Sequence, residues 1–346
     1  MTSRTPIGLD IGARDIKAAQ LNRSSRRPRL KAAALLPRSV PDSPVDQAEI
    51  QRLCAVLGRQ GFSGTNAALA APAGQLLRAT LELPPLDAGA PLDQMARMEF
   101  ARMHGRDPQS FELAYWMLPE SPARKGRTQL IAAAFPHDEA DALLDIMEQG
   151  GLNVQVLDVH PCALLRACAP LLSSTTGIVG IVDLGWNACQ LLIVYHGVVV
   201  YERSLPEAGI RRLCEALSQQ LHLDQTAIDL CLGEVGFAKG QGPQGTEDCF
   251  ASARTIIAKH FDSAVADLRA PLSYTMQQYP GTSVARLLLV GGGASIPGLG
   301  GYLGSALGIE TRTVSPADLV ECPPPLLARC STGALTAALG LAQFTK

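Results

Sequence analysis

The strongest constraint on this chain is a repeat. Asp10-Ile11-Gly12 and Asp183-Leu184-Gly185 are the same Asp-x-Gly turn, each following one apolar run and preceding another. The first copy runs from Ile7-Gly8-Leu9 through the turn to Ile16–Leu21; the second runs from Ile178–Val182 through the turn to Cys189–Tyr195. Both read as hairpins that open one half of a duplicated domain. A glycine there bends the backbone tightly and lets phosphate oxygens approach, and a neighbouring Asp can hold a hydrated Mg²⁺ between the halves. A third element fits the same chemistry. Leu287–Val290 feeds directly into Gly291-Gly292-Gly293-Ala294-Ser295-Ile296-Pro297-Gly298-Leu299, and glycines after a strand permit close ligand approach.

The bulk sequence narrows the class. With 346 residues, 47% of them hydrophobic and a net charge of −2, the chain can build two lobes and has no electrostatic bias toward nucleic acid. Nine cysteines without a Cys-x-x-Cys pair read as reduced, buried thiols. A strand and its phosphate turn begin within the first ten residues, so no signal peptide is expected and the protein is placed in the cytoplasm. Leu287–Ile309 is uncharged, and its Gly300, Gly304 and Gly308 have the spacing of membrane helix dimers. Pro297 and eight glycines interrupt it, however, and a strand, a turn and a helix over 298–307 account for it without lipid.

Along the chain, the first hairpin carries Arg23, Arg26, Arg27, Arg29 and Lys31, read either as a solvated turn or as a dock for anionic headgroups or an acidic partner. A helix is expected over 48–60, with Ile50, Leu53, Cys54 and Leu57 on one face. Strands follow over 67–71 and 76–83, and Pro84, Pro85 and Pro91 mark a boundary. The next pattern is helix, strand, strand, helix, over 92–104, 111–118, 128–135 and 137–149. Beyond the second hairpin come a helix over 209–221, a Gly-rich loop over 233–245 and a helix over 246–279, long or broken at Pro271. Within the loop, Gly240–Gly245 formally matches a dinucleotide fingerprint but has no preceding strand. The six histidines have no metal-ligand spacing, and Gly293–Pro297 only approaches a nucleophile elbow.

The two turns and the Val290–Leu299 segment, with Leu81-Glu82-Leu83-Pro84-Pro85, Asp158–Ala167 and Leu339-Gly340-Leu341-Ala342, resemble the actin-like ATPases over nearly the whole chain. Within them the likeness is to the FtsA/PilM family of pilus-assembly and division proteins. The resemblance implies an α/β, actin-like (ribonuclease H-like), duplicated two-lobe fold with an inserted small α+β subdomain in the first lobe. The expected division is 1–85 as the first-lobe core, 86–157 as the insertion and 158–176 as a crossover helix. Residues 177–333 would form the second lobe, and 334–346 a C-terminal helix returning to the first.

The resemblance also implies site residues. ATP would be held by Asp10, Gly12, Ala13, Arg14, Lys17, Asp183, Gly185, Trp186, Asn187, Gly291, Gly292 and Gly293, with Mg²⁺ held through water by Asp10 and Asp183. Asp158 and His160 are the candidates for orienting a hydrolytic water. The insertion of this family takes a short N-terminal peptide of the inner-membrane protein PilN, and Met95, Met98, Phe100 and Met103 are the candidate contacts, although helical spacing also fits a plain core. Self-association is compatible with the family, and membrane contact would come only through partners.

The chain departs from the family pattern at the phosphates. Ala13-Arg14-Asp15 replaces small hydroxyl residues, Trp186 stands where a small or acidic residue is usual, and Ala208–Leu213 replaces Gly-Gly-Glu-x-x-Thr. The expectation is therefore a cytoplasmic scaffold of a type IV pilus or related secretion assembly, with weak hydrolysis or none. The alternatives are a partner-stimulated ATPase and, third, a small-molecule kinase of the same superfold.

Overall fold

The computed structural model describes residues 3–23, 27–85, 89, 91–122, 126–173, 175–237 and 247–344. The first-lobe sheet runs in the order β1 (Ser3–Arg4), β3 (Asp15–Arg23), β2 (Ile7–Ile11), β5 (Asn66–Ala70), β9 (Asn153–Asp158), with β4 (Arg29–Pro37) paired to β3. Strand β2 pairs antiparallel with β3 and parallel with β5. Period-two alternation then assigns the faces. Ile7 and Leu9 of β2 and Ile16 and Ala18 of β3 join a core with helix α1 (Gln47–Arg59), whereas Gly8, Asp10 and Lys17 fall on the opposite face. Helix α1 starts where Asp46 accepts a hydrogen bond from the Glu49 N–H at 2.8 Å, and it buries Ile50, Leu53 and Leu57.

The second-lobe sheet repeats the plan in the order β12 (Val198–Leu205), β11 (Cys189–Tyr195), β10 (Ile178–Leu184), β13 (Val284–Val290), β14 (Thr311–Thr313). One face buries Val182, Leu184, Leu191, Leu287 and Leu289 against α5 (Ile210–Leu221), α7 (Glu247–Gln278) and α8 (Leu299–Leu307). The other face, with Ile181, Leu192, Leu288 and Val290, meets α4 (His160–Leu172) and α10 (Thr336–Ala342), as do Ala19, Leu21, Leu30 and Ala33 of the first lobe. These two helices thus lie in a core shared by both lobes. Their approach is close: a Cβ on Gly340 would overlap the Ala163 carbonyl, and one on Gly8 would overlap the α10 backbone. Helix α7 is continuous through Pro271, with Thr275 Oγ1 donating to the Pro271 carbonyl at 2.9 Å.

A separate three-stranded sheet, β6 (Leu77–Leu83), β8 (Thr128–Pro136), β7 (Phe111–Met117), carries helix α2 (Leu92–His104). Its limits differ from the expected 86–157. Strand β6 pairs with β8 along its whole length, so the sheet starts before Pro84. Helix α3 (His137–Gln149) packs Met147 into the first-lobe core, and β9 pairs with β5, so both belong to the first lobe rather than to the insertion. The first-lobe basic run is largely spent on internal partners. Arg27 donates to the Ala317 and Asp318 carbonyls, Arg29 pairs with Glu321 at 3.3 Å, and Lys31 bonds Gln20 and Ser63. Arg26, the Gly240–Gly245 run and Leu86 lie outside the described residues.

Candidate nucleotide cleft

Alternation on four strands delivers one set of polar side chains to the gap between the lobes. Asp10 shares the Gly8 face of β2, Lys17 the Ala19 face of β3, Asp183 the Ile181 face of β10, and Gln190 the Leu192 face of β11. They line a cavity of about 810 Å³ together with both Asp-x-Gly turns and the 291–293 glycines. Lys17 Nζ lies 3.1 Å from Asp10 Oδ2, and His160 Nε2, at the start of α4, lies 3.2 Å from Asp183 Oδ2. Two acids are thus matched with two bases. Burial pushes the Asp10 carboxyl up, but Lys17 and His160 outweigh it and hold it below its ordinary range. Burial likewise works against charge on Lys17 and His160, yet Asp10 raises the one and Asp183 the other above their ordinary values.

The glycines divide by role. Gly12 N–H donates to the Asp15 carbonyl at 3.0 Å and Gly185 N–H to the Asp183 carbonyl at 3.1 Å, so both amides are used in closing their turns. Gly291, at φ +85°, could not carry a side chain because a Cβ would overlap Asp183, and one on Gly293 would press into Ile210. A Cβ on Gly292 would meet open space. Two of the three glycines are therefore fixed by packing against the second turn, and Gly292 has open space beside it. Leu232, Ile210 and Ile296 supply apolar wall to the same cavity.

The residues at which the resemblance implies other types meet each other. Arg14, just past the first turn, lies over the Trp186 ring at 4.7 Å from its centroid and pairs with Asp229 at 3.1 Å. Asp42 donates its N–H to the Ala13 carbonyl, and its carboxylate receives hydrogen bonds from Asn187 and, at 3.3 Å, from Arg211. Asp42 sits at φ +60°, a region that Asp tolerates better than most residues. The two turns thus hold each other through a pair of clasps. Arg38 backs the first turn, pairing with buried Glu49 at 2.8 Å while its N–H donates to the Arg14 carbonyl.

All the expected cleft residues line this cavity except Asp158. Its carboxylate is turned onto Arg166 at 2.9 Å and accepts the Val159 N–H, which leaves His160 as the member of that pair facing the gap. The helix residues also separate. Phe100 is fully buried and Met95 packs beside it, so Phe100 is removed from any docking surface, while Met98 and Met103 are exposed. Sequence reasoning missed Gln190, Asp42 and Asp229. Gln190 was findable as the polar residue interrupting an apolar strand on the cleft face; Asp42 and Asp229 carried no local signal.

Residues 8–344 match the family model for the type IV pilus assembly protein PilM. This chain belongs to that family. Among solved structures, the PilM-PilN type IV pilus biogenesis complex matches with a TM-score of 0.77 at 21% identity, covering 98% of this chain and 97% of the other. The ethanolamine utilization protein EutJ from Carboxydothermus hydrogenoformans matches with a TM-score of 0.55 at 14% identity, covering 100% and 91%. MreB5 of Spiroplasma citri bound to AMPPNP gives 0.53 at 13% identity, covering 98% and 95%. The fold of this PilM family member is the actin-like two-lobe fold. No helix among its described residues is long and apolar enough to cross a membrane.

Proposed function

We propose that this PilM family member is a cytoplasmic scaffold of a type IV pilus or related secretion assembly, whose work is binding rather than turnover. It would dock a short cytoplasmic peptide of a PilN-like inner-membrane partner, reaching the membrane only through such proteins. The likeness to the PilM-PilN complex supports the partner, and the exposed Met98 and Met103 offer polarisable contacts on the inserted unit.

The cleft would be a degenerate Mg-ATP site. The observation that carries this reading is the pairing of Arg14 with Trp186 and Asp229, which sets a cation and an indole between the turns where the resemblance implies small hydroxyls after the first turn and a small or acidic residue after the second. The residues present still fit the ligand in part: Gly292 has open space beside it, and apolar wall and two carboxylates line the same cavity. Asp10 and Asp183 would hold Mg²⁺ through water, and bound Mg²⁺ would offset phosphate charge. Lys17 and His160 already pair with those carboxylates, so metal entry competes with two internal partners. His160 would be the nearer group for orienting water, with Asp158 committed to Arg166.

Titration of the purified protein with Mg-ATP by isothermal calorimetry tests the cleft. Micromolar to millimolar binding supports a nucleotide-gated scaffold. Absence of heat at millimolar ATP removes nucleotide from the account and leaves docking alone. Trp186→Gly should then create or strengthen binding; no change would rule out steric occlusion by the indole.

A further inference from the structure

The inserted sheet is covalently part of the first lobe at both ends, since β6 follows β5 and α3 returns to the α1 core. Its side chains also reach the second lobe. Trp116 on β7 donates its indole N–H to the Val199 carbonyl of β12 at 2.7 Å, and its ring packs on the core shared by the lobes. Arg78 on β6 lies 3.5 Å from Glu202, also on β12, with both side chains mostly shielded from water. Ser121 donates to the Gln278 carbonyl at 2.6 Å, and the Tyr279 hydroxyl to the Pro119 carbonyl at 3.4 Å, at the end of α7.

We infer that the inserted sheet is a strap that ties the first lobe to the outer strand of the second, so that hinge opening of the cleft must break the Trp116, Arg78 and Ser121 contacts. The geometry has a direct consequence. Val199, Glu202 and Ser204 lie on one strand, and Ser204 and Arg78 both line the cleft, so the strap and the cavity share a strand and a side chain. A ligand that shifts the inserted sheet biases the cleft, and by linkage a ligand in the cleft biases the inserted sheet by the same factor. The strap goes beyond the scaffold reading and holds whether or not nucleotide binds, because it concerns how the lobes are joined.

Hydrogen exchange on the full chain tests it. Trp116→Phe keeps an aromatic ring and removes the donor, Glu202→Gln removes the charge, and Met98→Ala on the exposed side of α2 is the control. Strap release predicts roughly fivefold faster amide exchange for Trp116→Phe, the factor that goes with one net hydrogen bond. The acceleration should reach the turn at 11–14, remote in sequence from either substitution, and should be larger in the double variant and absent in Met98→Ala. Acceleration confined to 77–136 and 198–205, or equal effects in the control, would overturn the inference. Should Trp116→Phe fail to fold, Ser121→Ala tests the same strap at its α7 end, with the same two outcomes.

Discussion

Arg14→Ala isolates the clasp between the two Asp-x-Gly turns. The Arg14–Asp229 pair is over a third exposed on one side and nearly half on the other, which limits it to about 0.2–1 kcal/mol. The guanidinium over Trp186 adds about 0.5–1 kcal/mol at such a site. Together they hold the turns closed by roughly 1–2 kcal/mol, a factor of about 5–30 in an equilibrium constant. If the clasp must open for nucleotide to enter, Arg14→Ala strengthens Mg-ATP binding by up to that factor, as removal of a closed-state penalty requires. Calorimetric titration of both proteins reads the difference. Because the ion pair is exposed, salt should weaken the clasp and narrow the gap between wild type and variant. Weaker ATP binding in Arg14→Ala would refute the reasoning, since it would make Arg14 a phosphate ligand rather than a barrier.

Three further outcomes follow from the packing and the charges. Gly340→Val drives a side chain into the Ala163 carbonyl, costs about 1–3 kcal/mol or more, and should lower the melting temperature by several degrees; an unaltered melt would contradict the α4–α10 contact. Phe100→Ala should cost about 3–5 kcal/mol in denaturant unfolding, whereas exposed Met98→Ala should stay within about 0.5 kcal/mol, and equal costs would contradict their assignment to opposite faces. The His160–Asp183 pair gives a pH signature. With the folded value of His160 raised above its ordinary 6.5, the pair's stabilisation is complete below that pH and fades as pH rises through the folded value. Asp10, held low, stabilises above the ordinary carboxylate value of 3.8 and loses that contribution as pH falls through its folded value. Urea midpoints at alkaline pH should therefore drop more for wild type than for His160→Asn, and parallel curves would dismiss the pair.

Much of the fold was legible because alternation and turn chemistry are local. The two Asp-x-Gly hairpins, helix α1 and the strand running into Gly291 follow from period-two and period-3.6 patterns written in a few residues. The limits of the inserted sheet were not, because prolines at 84 and 85 mark a turn and cannot report that β6 has already left the first-lobe sheet for β8. The same blindness to pairing hid both clasps. Arg14 and Trp186 were visible as oddities at two turns, but their contact joins residues 172 positions apart in sequence, and Asp42 reaches Asn187 and Arg211 over a similar span. Asp158 and His160 were equally plausible by position, and helix geometry at the start of α4 separated them, turning one onto Arg166 and the other onto Asp183.

Phosphate release measured with saturating Mg-ATP, while the chain is titrated with the N-terminal cytoplasmic peptide of its PilN-like partner, separates binding from turnover. A binding scaffold should give saturable peptide binding with phosphate release no higher than in the peptide-free control. Sustained turnover that rises with peptide occupancy and is lost in His160→Asn would contradict it and make the chain a partner-triggered ATPase.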